Sequence, residues 1–310
     1  MASTVHTLGM ISVALVAWGL ASAFAIAGDI SPKQAPQITV TEWSVLVSKG
    51  HRPVLEYLFR KGQHKPYVLQ LITPAGLNIL RDGAPDHPHH HGLMFGVEVE
   101  GINFWEEGRS VGYQVHKDIR SNATGFIESI DWIDQGQKQV LLTEERQIGV
   151  DVSMDLTTLI FWKSKFTLGT NRTTAKLSGT DYKGLGMRFI PSMDRTGTFM
   201  CGKTKFGQAN IGDKQLFQAP WCAYTAEVNS KPVTVAIFSH PSNVRPATWF
   251  MMLSPFTFFS ATLSLNTTPI TLSRDQPMFL RYGVAVWDGE LSSDRIEEVY
   301  KNWFVKVVEN

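Results

Sequence analysis

Cysteine, charge and phosphate-binding glycine patterns are all scarce in this sequence, and each scarcity removes a class of function. The 310 residues include two cysteines, Cys201 and Cys222, too few for a disulfide scaffold and without the paired CxxC spacing of a structural zinc site. Asp, Glu, Lys and Arg make up 18% of the chain, the formal net charge is +1, and nowhere do Lys and Arg mass into a block. Binding to a nucleic-acid backbone needs such a block to neutralise phosphates, so no nucleic acid is expected as a partner. There is no glycine-rich phosphate cradle and no serine elbow in a strand-turn-helix context. Internal repeats, heptads and low-complexity linkers are missing too, and no clean domain boundary shows.

Charged residues are absent altogether from the first 27 positions. An apolar stretch runs from Leu8 to Ala27 and stops at Gly28-Asp29. Ala23-Phe24-Ala25 and Ala25-Ile26-Ala27 both fit a small-x-small cleavage site, with release after Ala27 preferred. Residues 1–27 are therefore expected to be a signal peptide and residues 28–310 a single β-sandwich domain working outside the cytoplasm, in a periplasm or secreted. The alternative is an uncleaved anchor over residues 8–27, because the segment approaches the roughly 20 residues that span a bilayer. Only in that case is a membrane a partner. In an exported body Cys201 and Cys222 can bridge, closing a loop of about 20 residues for a gain of about 3 kcal/mol, or stay as two buried thiols.

What the chain has in quantity is aromatic: 11% of residues, with nine Trp and eighteen Phe, a composition suited to extended sheets and ring-lined clefts. Short apolar and alternating segments predict strands at Ile38 to Val47, Pro53 to Phe59, Tyr67 to Ile72, Leu93 to Val99, Phe126 to Trp132, Gln139 to Val150, Asp155 to Trp162, Ser164 to Leu168, Thr173 to Leu177, Gly184 to Pro191, Trp221 to Val228, Val233 to Ser239 and Phe279 to Trp287. Arg81 to Gly92, broken by Gly83, Pro85 and Pro88, is predicted to be a loop. Only the end reads as helix: Ser292 or Ser293 can cap it, Asp294 suits its dipole, and Ile296, Val299, Tyr300 and Trp303 form an apolar stripe. The fold class expected is all-β, a large two-sheet antiparallel sandwich with a short C-terminal helix.

Four histidines in five residues, His87, His89, His90 and His91, sit in a Pro-restrained segment. Imidazole can move a proton or bind a metal near neutral pH. In extended backbone His87, His89 and His91 would face one cavity and His90 the other way. Trp105 offers a ring on which a sugar can stack, and Glu106 or Glu107 a carboxylate to act as acid, base or histidine-orienting partner; buried core and solvated surface are the plain alternatives. His116 ends a short strand nearby. Arg188 stands in an apolar strand and needs an anion, either a substrate carboxylate or a structural Asp. His240, Asn243 and Arg245 lie just past a strand end, placed to line a cleft or to organise their own turn.

Asp86-His87-Pro88-His89-His90-His91-Gly92-Leu93, Gly101-Ile102-Asn103-Phe104-Trp105, Gly186-Met187-Arg188, His240 to Pro246, and Leu280-Arg281-Tyr282 with Asp288-Gly289 occur in an order that resembles the DUF6807 family, also called methane oxygenase PmoA-like. The resemblance covers most of the chain after residue 27. It implies a β-sandwich similar to the galactose-mutarotase-like supersandwiches and an exported protein associated with carbohydrate breakdown. A membrane monooxygenase subunit would need several spanning segments, and only the N-terminal stretch has the length. This sequence carries His91 where the family commonly has Arg, and Phe250-Met251-Met252 where the family is more polar.

The expected function is cleavage of a glycoside or oligosaccharide, by β-elimination or hydrolysis. His89 or His91 would take a ring proton, Arg188 or Arg245 would hold an adjacent carboxylate or enolate, and His240 or Glu106 would return the proton to the leaving oxygen. Trp105, His116, Asn243 and Arg245 are the expected substrate-binding residues. One divalent metal on some of His87, His89, His91 and His240 is the expected cofactor. The alternatives are a noncatalytic glycan-binding protein using Trp105, Trp221 or Trp249, and a sugar epimerase or mutarotase. The partner expected is a glycan or small sugar; oligomeric state is not written in the sequence.

Overall fold

The structure, a computed structural model, describes Met1 and residues 35–136, 138–153, 157–207 and 214–309. The expected signal segment lies outside the described residues apart from Met1. As the alternation of polar and apolar residues requires, the described chain is built of two nine-stranded antiparallel sheets packed face to face. The first runs in the order Gln37–Val40, Ser44–Lys49, Arg52–Leu58, Tyr67–Leu71, Leu93–Gly96, Gly184–Arg188, Phe258–Thr262, Thr248–Met252, Gln215–Gln218. The second runs Gly112–Ser121, Gly125–Asp134, Gln139–Asp151, Thr158–Leu168, Met278–Asp288, Lys231–Ser239, Trp221–Val228, Thr198–Cys201, Thr204–Phe206.

Period two decides which layer each side chain joins. In Phe258–Thr262, Phe259 and Ala261 enter the core between the sheets, while Phe258 joins a smaller cluster with Trp105, Met94 and Phe256 on the outer face of the first sheet. On the outer face of the second sheet, Trp221, Phe238, Ala285 and Trp287 pack against Ile296, Val299, Trp303 and Val307 of the C-terminal helix Ser293–Glu309. The Ser292 hydroxyl accepts the backbone N–H of Arg295, capping that helix. Among the described residues no helix is long and apolar enough to cross a membrane.

Three sequence expectations need correction or completion. The segment predicted to be a loop, Arg81 to Gly92, contains a two-stranded hairpin, Asp82–Ala84 with His87–His91. Gly83, at φ +54°, and an exposed Pro88 are tolerated because each strand has a partner on one side only, so the missing N–H of Pro88 leaves no ladder broken. The two strands expected on either side of Lys163 are one, Thr158–Leu168, with Lys163 simply taking the outward position. Cys201 and Cys222 are direct cross-strand partners and form a disulfide.

Candidate active site

The histidine hairpin lies over the outer face of the first sheet, joined to it by the backbone N–H of Arg188, which donates to the carbonyl of Gly92. In Gly184–Arg188, Leu185 and Met187 point into the core, leaving Gly186 and Arg188 on the outer side. Gly186 is glycine because a layer of rings lies on its backbone: a Cβ there would come 2.6 Å from Cζ of Phe258 and 3.0 Å from Cη2 of Trp105. Asn103 Oδ1 accepts the N–H groups of Trp105 (2.8 Å) and Glu106 (3.1 Å), a turn that leaves Trp105 fully buried and Glu106 and Glu107 half-buried.

His90 rests on this aromatic floor, stacked on Phe258 at 5.1 Å and edge-on to Trp105 at 5.9 Å. Burial, reinforced by the neighbouring His89 and His87, pushes its pKa down to about 2, so the ring is neutral. Two polar atoms in this layer, His90 Nδ1 and Trp105 Nε1, are buried without a hydrogen-bond partner among the described residues. Native interiors rarely leave such groups unpaired.

Arg188 extends the floor. Its guanidinium carbon lies 3.7 Å from the ring centre of Phe256. Nη2 donates to Asp86 Oδ2 at 3.2 Å and stands 3.6 Å from Asp194 Oδ2, while Nε and Nη1 are buried with no partner among the described residues. Burial lowers the pKa of Arg188 and raises that of Asp194. Burial also acts to raise the Asp86 carboxyl, but Arg188 and His87 outweigh it and hold the group below its ordinary value. Of the two anions foreseen for Arg188, the structure supplies the Asp, and leaves two donor nitrogens, Nε and Nη1, over.

Beside this floor, His91 donates through both ring nitrogens, from Nδ1 to Asp82 Oδ1 at 2.5 Å and from Nε2 to Glu107 Oε1 at 2.7 Å. Lys65 Nζ reaches the same Glu107 oxygen at 2.8 Å, and Tyr67 stacks on His91 at 4.3 Å while its hydroxyl donates to Asp82. Burial lowers the His91 pKa, but the two carboxylates outweigh it and the imidazole is held above its usual value, as a cation. Burial alone would raise Glu107; the hydrogen bond from His91 and the charge of Lys65 push it down to about 2. His89, half-buried, is lowered by burial against the opposing charge of Glu106, so it is a neutral base at pH 7. Lys65, Asp82 and Asp194 carried no sequence signal of their own; each acts through a neighbour that only the fold supplies, whereas Glu107, one of two carboxylates the sequence offers as a histidine-orienting partner, bonds His91.

The remaining expected site residues lie elsewhere. His240 stacks on Phe304 of the C-terminal helix at 5.0 Å, on the outer face of the second sheet, and so across the whole sandwich from the hairpin. Asn243 is used by its turn: its amide donates to the Arg281 carbonyl and its oxygen accepts the Arg281 N–H. Arg245 caps the carbonyls of Leu263 and Pro269. His116 pairs with the buried Glu128 at 2.8 Å and borders a separate cavity of about 420 Å³ with Phe59, Tyr113 and Gln114. Trp105, Trp221 and Trp249 are all buried, which removes them as open stacking platforms. Among the described residues no three His, Cys, Asp or Glu side chains are arranged to hold a metal ion. The metal set His87, His89, His91 and His240 is not brought together, because His91 is committed to two carboxylates and His240 is on the far face.

The profile of DUF6807, described as a family of unknown function, matches residues 44–301. No curated protein matches the chain. Similar solved structures include the GH36 alpha-galactosidase AgaA from Geobacillus stearothermophilus, at a TM-score of 0.48 and 10% identity, over 83% of this chain and 41% of that one. The galactosidase domain of the alpha-galactosidase-sucrose kinase AgaSK aligns at a TM-score of 0.49 and 8% identity, over 82% and 42%. A putative mutarotase, YeaD from Salmonella typhimurium, aligns at a TM-score of 0.38 and 10% identity, over 83% and 95%. This chain spans about two-fifths of the length of the two galactosidases.

Proposed function

The chain belongs to DUF6807, a family of unknown function, and from its own site we propose that it is an exported enzyme that cleaves a glycoside by β-elimination next to a carboxylate. The observation that carries this reading is Arg188, buried and holding two donor nitrogens unpaired among the described residues, set beside the rings that include the neutral His89 and His90. The substrate carboxylate takes the free guanidinium donors, displacing Asp86, the more exposed of its two acid partners. Charge on that carboxylate rises as the adjacent C–H is broken, so Arg188 binds the transition state more strongly than the ground state.

His89 takes the proton from the carbon beside the carboxylate. The C–H electron pair becomes the new C=C bond, the C–O bond to the leaving sugar breaks, and the imidazolium returns the proton to the leaving oxygen. Glu106, whose charge already acts on His89, stabilises that imidazolium. His91 is cationic and serves as a positioning residue, holding Glu107 and Asp82 at the edge of the site.

The test uses uronate-containing oligosaccharides and follows ultraviolet absorbance of the conjugated product. His89→Ala is expected to lower kcat by about 100-fold or more, and Arg188→Lys to lower kcat/KM by a similar factor because lysine cannot present the planar fork, with circular dichroism unchanged in both. Cleavage without the new chromophore would mean hydrolysis, conversion without cleavage an isomerase, and binding without turnover a lectin. Unchanged turnover in a folded His89→Ala protein removes His89 from the mechanism.

A further inference from the structure

A second cavity, of about 400 Å³, opens on the outer face of the second sheet beside the end of the C-terminal helix, bordered by Glu145, Lys163, Lys165, His240, Ser242 and Arg281. Its charge is unbalanced. Lys163 and Arg281 are direct cross-strand partners of the antiparallel pair Thr158–Leu168 and Met278–Asp288, an arrangement in which like charges repel. Neither has a carboxylate partner among the described residues; Arg281 donates to the Ser242 hydroxyl at 3.2 Å and lies over Phe279. Burial and the charge of Arg281 both lower the pKa of Lys163. Glu145, the one acid on the wall, faces Lys165 across the ladder.

His240 adds a neutral donor. The backbone N–H of Ser242 donates to its Nδ1 at 3.1 Å, which fixes Nδ1 as an acceptor and places the ring proton on Nε2. The residue is only 8% exposed, and Nε2 is buried with no partner. Two cations without an anion therefore border the same cavity as a buried histidine whose Nε2 has no acceptor among the described residues.

We infer that this cavity binds a small oxyanion, free or as the sulfate or carboxylate of an acidic sugar, at a site separate from the histidine hairpin. Arg281 and Lys163 supply the charge and His240 Nε2–H a directed hydrogen bond. An anion here removes the cross-strand repulsion and satisfies the orphan donor in one step.

The full chain, labelled with 15N-histidine, is titrated with sodium sulfate and in parallel with sodium glucuronate, at constant ionic strength set with sodium chloride. A saturable shift of the His240 ring resonances and a saturable rise in Tm are expected. Lys163→Gln and Arg281→Gln are each expected to weaken the Kd by about tenfold or more, and Lys163→Gln to raise Tm in the absence of added anion. Saturation by sulfate alone identifies a free ion, and binding of glucuronate about tenfold tighter than sulfate an acidic sugar. If neither salt saturates, or if Lys163→Gln binds as the parent does, the site is not there. Lys163→Gln decides the matter even where Arg281→Gln fails to fold, since among the described residues the Lys163 side chain has no hydrogen-bond partner.

Discussion

At the scale of the residue, His91 does the work of a fixed cation with a side chain that can lose its charge. It lies between Asp82 and Glu107, and the two carboxylates hold its pKa above the value near 6.5 that a free imidazole shows. A folded-state pKa raised in this way adds stability that is fully present below the unfolded value and is lost as pH rises through the folded one. Tm is therefore expected to fall as pH climbs from about 6.5 through the raised His91 value, and His91→Arg to flatten that fall. Calorimetry across this range checks it, and an equal slope in the two proteins would acquit His91. Glu107, at about 2 against an ordinary value of 4.5, works in the opposite direction: its contribution is present above the ordinary value and fades as pH falls toward 2.

The histidine run was legible as a candidate site because imidazoles seldom cluster in sequence without a reason. Its internal division of labour was not legible. Alternation foretold that His90 would face away from the others; instead its ring stacks on His87 at 4.7 Å and meets His89 edge-on at 4.6 Å, above the buried rings of Phe258 and Trp105. Which of the four is base, cation or neutral filler depends on Glu107, Asp82 and Phe258, and these arrive from three other segments of the chain.

At the scale of the element, the strand Gly184–Arg188 shows how little side chain a site can require of its platform. Gly186 is there for closeness rather than for an unusual φ, since the layer of Phe258 and Trp105 rests on its backbone. Gly186→Ala is expected to push that layer outward, costing about 1–3 kcal/mol as overpacking does, and to lower turnover because His90 and the hairpin stand on it. Urea unfolding with tryptophan fluorescence reads both the loss and the exposure of Trp105; an unchanged midpoint would mean that the rings can move aside freely. Strands such as Trp221–Val228 were legible residue for residue, since both of their faces are covered and their apolar runs are long. The hairpin was not, because Pro88 and Gly83 are breakers only where a strand has two neighbours.

At the scale of the molecule, the sandwich keeps its two candidate sites on opposite outer faces and an ionic network between its sheets. Arg146, fully buried, donates to both oxygens of Glu144, to the Tyr57 hydroxyl, to Gln114 and to the carbonyl of Pro66. Tyr57 in turn donates to Glu128, which also takes His116 at 2.8 Å. Burial raises the pKa of Glu128 and of Tyr57, and the charge of Arg146 opposes the rise in both. The sequence pattern concealed this, because Glu144 and Arg146 occupy inward positions of an alternating strand that polarity alone assigns to solvent. Arg146→Met is expected to cost about 3–5 kcal/mol in urea unfolding, since it strands Glu144 without its cation in a low-dielectric interior. Pairing it with Glu144→Leu removes the stranded charge together with the cation, and the double variant is expected to recover part of the loss. A double variant no more stable than Arg146→Met alone would show that the network contributes through shape rather than charge, and that the two sheets are held in register by the guanidinium's hydrogen bonds to Gln114 and the Pro66 carbonyl.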